Sequence, residues 1–254
     1  MKILLTNDDG VGAPGVHAAW AALNSAGHEV TVCVPDRPRS AIGHAITMHK
    51  PLRVKTVETR DGLAYTTNGT PADCVAMALL HICQSPPELC ISGINLGPNL
   101  GDDVHYSGTV GGAMEAILNG VMSMAISLVT HTDPHWDAAA QFCADFALVI
   151  PTLELPRDTF LNVNVPNGAP ADIKGARVTS QGSRRYKGDL VRYEAPNIGE
   201  YFWRGGEVID RAERDDADVL VIKENYISVT PIHVDLTSRK SMATVAAALG
   251  KMES

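Results

Sequence analysis

A chain of 254 residues with 45% apolar and 20% charged side chains can bury a sizeable core, and it reads as one or two ordinary globular domains. Its 21 basic and 29 acidic residues leave a formal charge of −8, which argues against a nucleic-acid polymer or an anionic membrane as partner. The five cysteines (Cys33, Cys74, Cys83, Cys90 and Cys143) show no C-x-x-C spacing and several sit in apolar runs, so they read as reduced core residues of a cytosolic protein.

In chain order, a strand is expected near residues 2–7. Its apolar stretch, Ile3 to Leu5, is too short for a signal-peptide core or a membrane span, and cytoplasmic residence is the expectation. The strand runs into Asn7-Asp8-Asp9-Gly10. Two adjacent carboxylates repel by about 1 kcal/mol even in bulk water. On a strand they would point to opposite faces, so Asp8 and Asp9 reach one ion only if the chain is already turning, as Gly10 permits. Such oxygen donors suit Mg²⁺ or Mn²⁺ rather than zinc. The competing reading is a solvated strand-to-helix turn, where Asp and Gly are common.

A helix follows from about Pro14 to Ala26, with Pro14 in its first turn and Gly27 at its exit. A second strand spans Glu29 to Val34. The loop Pro35-Asp36-Arg37-Pro38-Arg39-Ser40 then opens on the same sheet edge as Asp8 and Asp9, where Ser40 could offer a neutral oxygen to an ion and Arg37 or Arg39 could meet a phosphate. A hairpin is expected from Leu52 to Thr67 around Arg60-Asp61-Gly62. Next comes a helix from Pro71 to about Ile82, with Thr70 as N-cap and Asp73 in the carboxylate position of a capping box. Because that helix begins on the ligand edge, Thr70 is also a candidate to face the site.

A strand at Leu89 to Ile94 leads into Asn95-Leu96-Gly97-Pro98-Asn99-Leu100-Gly101, and then to Ser107-Gly108-Thr109 at the head of a helix ending near Leu118. Asn95 can present a side-chain carbonyl from the strand end. Ser107 or Thr109 can cap the helix, and small residues there let an anion approach free N–H groups at the positive end of its dipole. The glycine spacing fits neither G-x-G-x-x-G nor a P-loop, so the segment reads as a phosphate cradle without an ATPase or dinucleotide signature. A capped helix after a Gly-rich loop is the competing reading.

Another strand is expected at Met124 to Val129. His131 and His135 are interrupted by Pro134, which spoils a helical zinc pair. Asn162 and Asn164 alternate with Val163 and Val165 as the polar face of a strand. After about Pro166 the chain turns Gly-, Pro- and charge-rich, with short candidate strands near Ala176 to Ser180 and Tyr201 to Trp203, followed by a strand at Tyr226 to Ile232 and a helix from about Thr237 to Leu249. Strands alternating with helices predict an α/β protein built on a largely parallel sheet with flanking helices. The expected division is an α/β core at 1–168 and, at 169–254, an extended arm or accessory subdomain with a closing strand and helix.

Asn7-Asp8-Asp9-Gly10, Pro35-Asp36-Arg37 with Ser40, Gly69-Thr70-Pro71-Ala72-Asp73-Cys74, Ser92-Gly93-Ile94-Asn95 with Gly97-Pro98-Asn99, and Tyr106-Ser107-Gly108-Thr109 occur in an order that resembles the SurE survival-protein nucleotidases. Tyr226 to Pro231 with Asp235 and Thr237 extends the likeness over nearly the whole chain. The resemblance implies a Rossmann-like core and a C-terminal β-rich arm exchanged between subunits of a homodimer or homotetramer. It also implies a metal-dependent phosphomonoesterase of nucleoside 5'- or 3'-monophosphates, with short polyphosphate as a further substrate. One Mg²⁺ or Mn²⁺ would be held by Asp8, Asp9, Ser40 and Asn95. The chain departs from its relatives at Glu194-Ala195-Pro196-Asn197-Ile198-Gly199, where they carry Asp-Pro before a basic residue and glycine.

The expected mechanism is in-line attack of water on phosphorus, with Asp8 or Asp9 accepting its proton and Ser107, Gly108 and Thr109, joined by Asn99, stabilising the phosphoryl oxygens. Three rivals remain open. A covalent aspartyl-phosphate enzyme usually needs Asp-x-Asp. A glycosyltransferase is suggested by Ala26-Gly27-His28-Glu29-Val30-Thr31-Val32 but needs a second Rossmann domain. A non-catalytic nucleotide sensor of the same fold is the third.

Overall fold

The computed structural model describes residues 1–250. Its first strand, β1 (Lys2–Thr6), shows why the chain forms a covered sheet. Ile3 and Leu5 pack into one core cluster while Leu4 packs into another on the opposite face, so a continuous apolar run is needed rather than an alternating one. The helix α1 (Pro14–Ser25) begins with Pro14, buries Val16, Ala19, Trp20 and Leu23, and leaves through Gly27 at φ +81°. It leads to β2 (Glu29–Pro35), then to the hairpin of β3 (Val54–Thr59) and β4 (Gly62–Thr67).

The helix expected over 71–82 is α-helical as α2 (Pro71–Met77) and finishes as a π-helical turn, Ala78–Ile82. Then come β5 (Leu89–Leu96), a 3₁₀ turn at Gly101–His105, α3 (Gly108–Leu118), β6 (Ser123–Val129), α4 (Asp137–Val149) and β7 (Thr159–Pro166). The sequence pattern alone does not single out α4. It buries mainly alanines (Ala138, Ala139, Ala144 and Ala147) with Cys143, and Trp136 at its N-cap makes no side-chain capping bond, so both the apolar stripe and the start signal are weak.

The main sheet has nine strands in the order β3, β4, β2, β1, β5, β6, β7, β11, β8, where β8 is Ala176–Val178 and β11 is Ile227–His233. From β4 to β7 all neighbours are parallel, as expected; β3 is antiparallel to β4 and β11 to β7, while β11 and β8 are parallel. Helices α1 and α4 pack together on one face and α2 and α3 on the other. The chain departs from β1 toward β2 on one side and returns to β5 on the other, so the carboxyl ends of β1 and β5 form the topological switch point where such sheets bind ligands.

Two strands of the C-terminal segment, β8 and β11, complete this sheet. The rest forms a two-stranded ribbon, β9 (Ser183–Ala195) and β10 (Gly199–Arg211), followed by a short α5 (Asp218–Val221) and by α6 (Arg239–Gly250), which buries none of its residues. No second parallel sheet is built among the described residues, which removes the glycosyltransferase reading.

Candidate active site

Asn7 sets the turn after β1. Its Oδ1 accepts the Gly10 N–H at 3.1 Å and its Nδ2 donates to the Gly10 carbonyl at 3.0 Å, while Gly10 adopts φ +90°. This closed turn carries Asp8 and Asp9 off the strand and into one cavity of about 1030 Å³. Asp8 is only 5% exposed. Its Oδ1 accepts the Thr109 hydroxyl at 2.6 Å and its carbonyl accepts the Arg39 N–H at 2.7 Å. One residue therefore ties the end of β1 to α3 and to the loop that carries Ser40. A Cβ on Gly108 would lie 2.9 Å from Asp8 Oδ2, so the glycine lets the helix start approach the carboxylate.

Asp9 is half-buried, and its Oδ2 accepts the Leu96 N–H at 3.4 Å. Burial is the main cause that pushes the Asp8 carboxyl up to about 6, opposed by the Thr109 hydroxyl and reinforced by the charge of Asp9. Burial likewise raises Asp9, against the Leu96 N–H. Asn95 donates through Nδ2 to the Gly97 carbonyl at 2.8 Å, which turns its amide oxygen into an available acceptor. Ser40 is exposed on its loop and lines the same cavity as Asp8, Asp9 and Asn95.

These residues fit a hard divalent cation. Two carboxylates that resist sharing negative charge, one hydroxyl and one amide oxygen make an all-oxygen donor set. No cluster of three or more His, Cys, Asp or Glu side chains suited to a metal occurs among the described residues, so neutral oxygens have to complete any such site. The head of α3 meets the cavity at Ser107. Ser107 lines the cavity and caps the helix by accepting the Val110 N–H at 3.1 Å, whereas Gly108 and Thr109, whose N–H groups as first-turn donors have no helical partner, are buried and outside the lining.

Other candidates have different positions. Asn99 lines the cavity, but its Nδ2 donates to Ser127 Oγ at 2.7 Å. Thr109 is fully buried and outside the cavity lining, with its hydroxyl committed to Asp8. Thr70 is not in the cavity lining; it closes the capping box with Asp73, and its hydroxyl donates to the Ala45 carbonyl at 2.7 Å. Arg37 and Arg39 are also outside the lining, and Arg39 donates to the Asn68 carbonyl at 2.8 Å and to Asp36 at 3.2 Å.

The outer wall was not legible in the sequence. Asp102, Asp103, Tyr106 and His131 meet Arg184, Arg185 and Tyr186 from β9. Arg184 pairs with Asp210 on β10 at 2.7 Å, and the Tyr186 hydroxyl donates to Asp103 at 2.9 Å. Only the return of the ribbon to the cavity makes these residues neighbours, and no local spacing signals it.

Fold and site together define a doubly wound α/β protein with an acidic, oxygen-rich cleft beside a capped helix start at its switch point. The family described as survival protein SurE matches residues 3–188, and the chain belongs to it. Over 246 residues it is 43% identical to the 5'-nucleotidase SurE of Geotalea uraniireducens, covering 96% of this chain and 98% of that one. Over 244 residues it is 46% identical to the 5'-nucleotidase SurE of Geobacter sulfurreducens, covering 96% and 92%. The crystal structure of the SurE protein from Aquifex aeolicus superposes with a TM-score of 0.83 at 37% identity, covering 98% of this chain and 99% of that one.

Proposed function

We propose that the chain is a divalent-metal-dependent phosphomonoesterase that hydrolyses nucleoside 5'- and 3'-monophosphates, with the terminal phosphate of short polyphosphates as a further substrate. The observation that carries this reading is the buried Asp8 carboxylate bonded to Thr109, which sets an acidic side chain directly against the first turn of α3. Asp8, Asp9, Ser40 and Asn95 would hold one Mg²⁺ or Mn²⁺. Bound there, the ion supplies Lewis-acid polarisation of the phosphate and greater acidity of water.

The chain's own groups do the rest. The Gly108 and Thr109 N–H groups receive phosphoryl oxygens and stabilise the charge that grows on them; one such donor is worth about 3 kcal/mol. Ser107 fixes that helix start, and Thr109 holds Asp8 in one orientation. The Asp8 and Asp9 pair takes the proton of the attacking water. Ribose and base would take the outer part of the cavity, which Tyr106 lines together with the ribbon residues Arg185 and Tyr186.

We further read the molecule as a cytoplasmic homodimer or homotetramer that exchanges its C-terminal arm. Support comes from α6, which leaves Met242, Val245 and Leu249 exposed, and from Tyr193, Phe202 and Trp203 on the ribbon. Among the described residues no helix is long and apolar enough to cross a membrane.

The test is titration of the protein with Mn²⁺ and Mg²⁺ in the presence of p-nitrophenyl phosphate and then AMP. Metal-stimulated phosphate release is expected. Its absence alongside nucleotide binding would make the protein a sensor, and ¹⁸O from labelled water found in Asp8 after a single turnover would make it a covalent phosphatase.

A further inference from the structure

Behind the cavity wall, β7 presents Asn162 and Asn164, both at 0% exposure, on the face opposite Val163. Val163 packs into the apolar core, whereas the two amides converge on a single residue, Asn99. Asn164 Oδ1 accepts the Asn99 N–H at 2.8 Å, and Asn164 Nδ2 donates to the Asn99 carbonyl at 3.0 Å. Asn162 Nδ2 donates to that same carbonyl at 2.8 Å. The peptide groups on both sides of Asn99 are thereby fixed, and its side chain is fixed as well by Ser127 on β6.

This arrangement is not the most stable way to fill the space. Asn162 Oδ1 is buried without a hydrogen-bond partner among the described residues, a cost that a β-branched apolar residue at that position would not carry. What the two asparagines achieve is positional: Asn99 stands in the loop that follows Asn95 and Leu96 at the end of β5 and forms the cavity wall through Gly97 and Pro98. We propose that Asn162 and Asn164 are positioning residues for the metal and phosphate site, acting through the Asn99 main chain to hold Asn95 and Asn99 in place. This rests on the function proposed above, and it assigns a role to a strand that contributes no atom to the cavity lining.

The test compares Asn164→Asp, Asn162→Val and Val163→Ala in the full chain. Asn164→Asp keeps the shape and the acceptor but sets an oxygen against the Asn99 carbonyl. Asn162→Val removes one bond together with the unpartnered oxygen. Val163→Ala weakens the same strand from its other face. Mn²⁺ affinity by calorimetry, kcat and KM for AMP measured separately, and Tm are read for each.

Asn164→Asp should weaken Mn²⁺ binding by about 10-fold or more and lower kcat about 10- to 100-fold, the usual range for groups that orient a metal's ligands. Asn162→Val should lower both by a smaller factor without loss of Tm, whereas Val163→Ala should lose Tm with both values within about two-fold of wild type. Unchanged Mn²⁺ affinity and kcat in both asparagine variants would overturn the proposal, as would losses in Val163→Ala that track its Tm. If Asn164→Asp does not fold, Asn162→Val decides. Wild-type protein that binds Mn²⁺ without hydrolysing AMP would contradict the proposed function alone, and the Mn²⁺ measurements would still decide on the asparagines.

Discussion

Asp8 combines a charge that the site needs with a location that resists it. Its carboxyl is pushed up to about 6 from an ordinary 3.8, chiefly by burial. The folded state therefore binds the proton more tightly than the unfolded chain. In metal-free protein that stabilisation is complete below about pH 4 and is lost as pH rises through about 6, a change on the order of 3 kcal/mol. Urea unfolding at pH 5 and pH 7.5 should show about half of this loss in wild type, roughly 1.4 kcal/mol, its reversal by Mn²⁺, and a clearly smaller pH effect in Asp8→Asn, where only Asp9 keeps a raised carboxyl. An identical pH dependence in both proteins would remove Asp8 as the source. Thr70 gives a contrasting case, because its capping box and its bond to Ala45 place it in the fold rather than the cavity. Thr70→Ala should cost about 1 to 2 kcal/mol of stability with KM for AMP unchanged; a raised KM at full stability would return Thr70 to the substrate.

At the scale of elements, the parallel strands and the α3 start were legible because each has a local cause. Buried strands show continuous apolar runs, as in Ile3 to Leu5, and Ser107 and Thr70 announce helix starts by their own chemistry. Candidate ligands were legible because they sit at strand ends, where the order of elements already brings Asp8, Asp9, Ser40 and Asn95 to one edge. The ribbon was not: β9 and β10 expose Leu190, Tyr193, Phe202 and Trp203 to solvent, so no buried face imposes an alternating pattern along them. Its contribution to the cavity depends on a joint far apart in sequence. Asp218, fully buried at the start of α5, accepts the Gly101 N–H at 2.9 Å, the Gly182 N–H at 2.8 Å and the Val219 N–H at 2.7 Å. Asp218→Ala would leave three donors unsatisfied and should destabilise the chain by about 3 kcal/mol, read as a lower urea midpoint with little change in slope. A loss below about 0.5 kcal/mol would show that this joint does not hold the ribbon base to the cavity loop.

For the whole molecule, one sheet supplies the site and the C-terminal segment leaves apolar surface on α6 and the ribbon without cover. Light scattering at micromolar concentration should return a dimer or tetramer for the full chain and a smaller species for a chain ending at Ser238; a full-length monomer would contradict the exchanged arm. The central claim, that the carboxylate pair after β1 holds a divalent ion for phosphate hydrolysis, is independent of that outcome. It is tested most directly by the initial rate of phosphate release from AMP as a function of Mn²⁺ concentration, in wild type and in Asp8→Asn. The expected result is saturable, metal-dependent release by wild type and a rate lower by about 10²- to 10³-fold in the variant at every Mn²⁺ concentration. Equal rates in the two proteins, or release that does not respond to Mn²⁺, would contradict it.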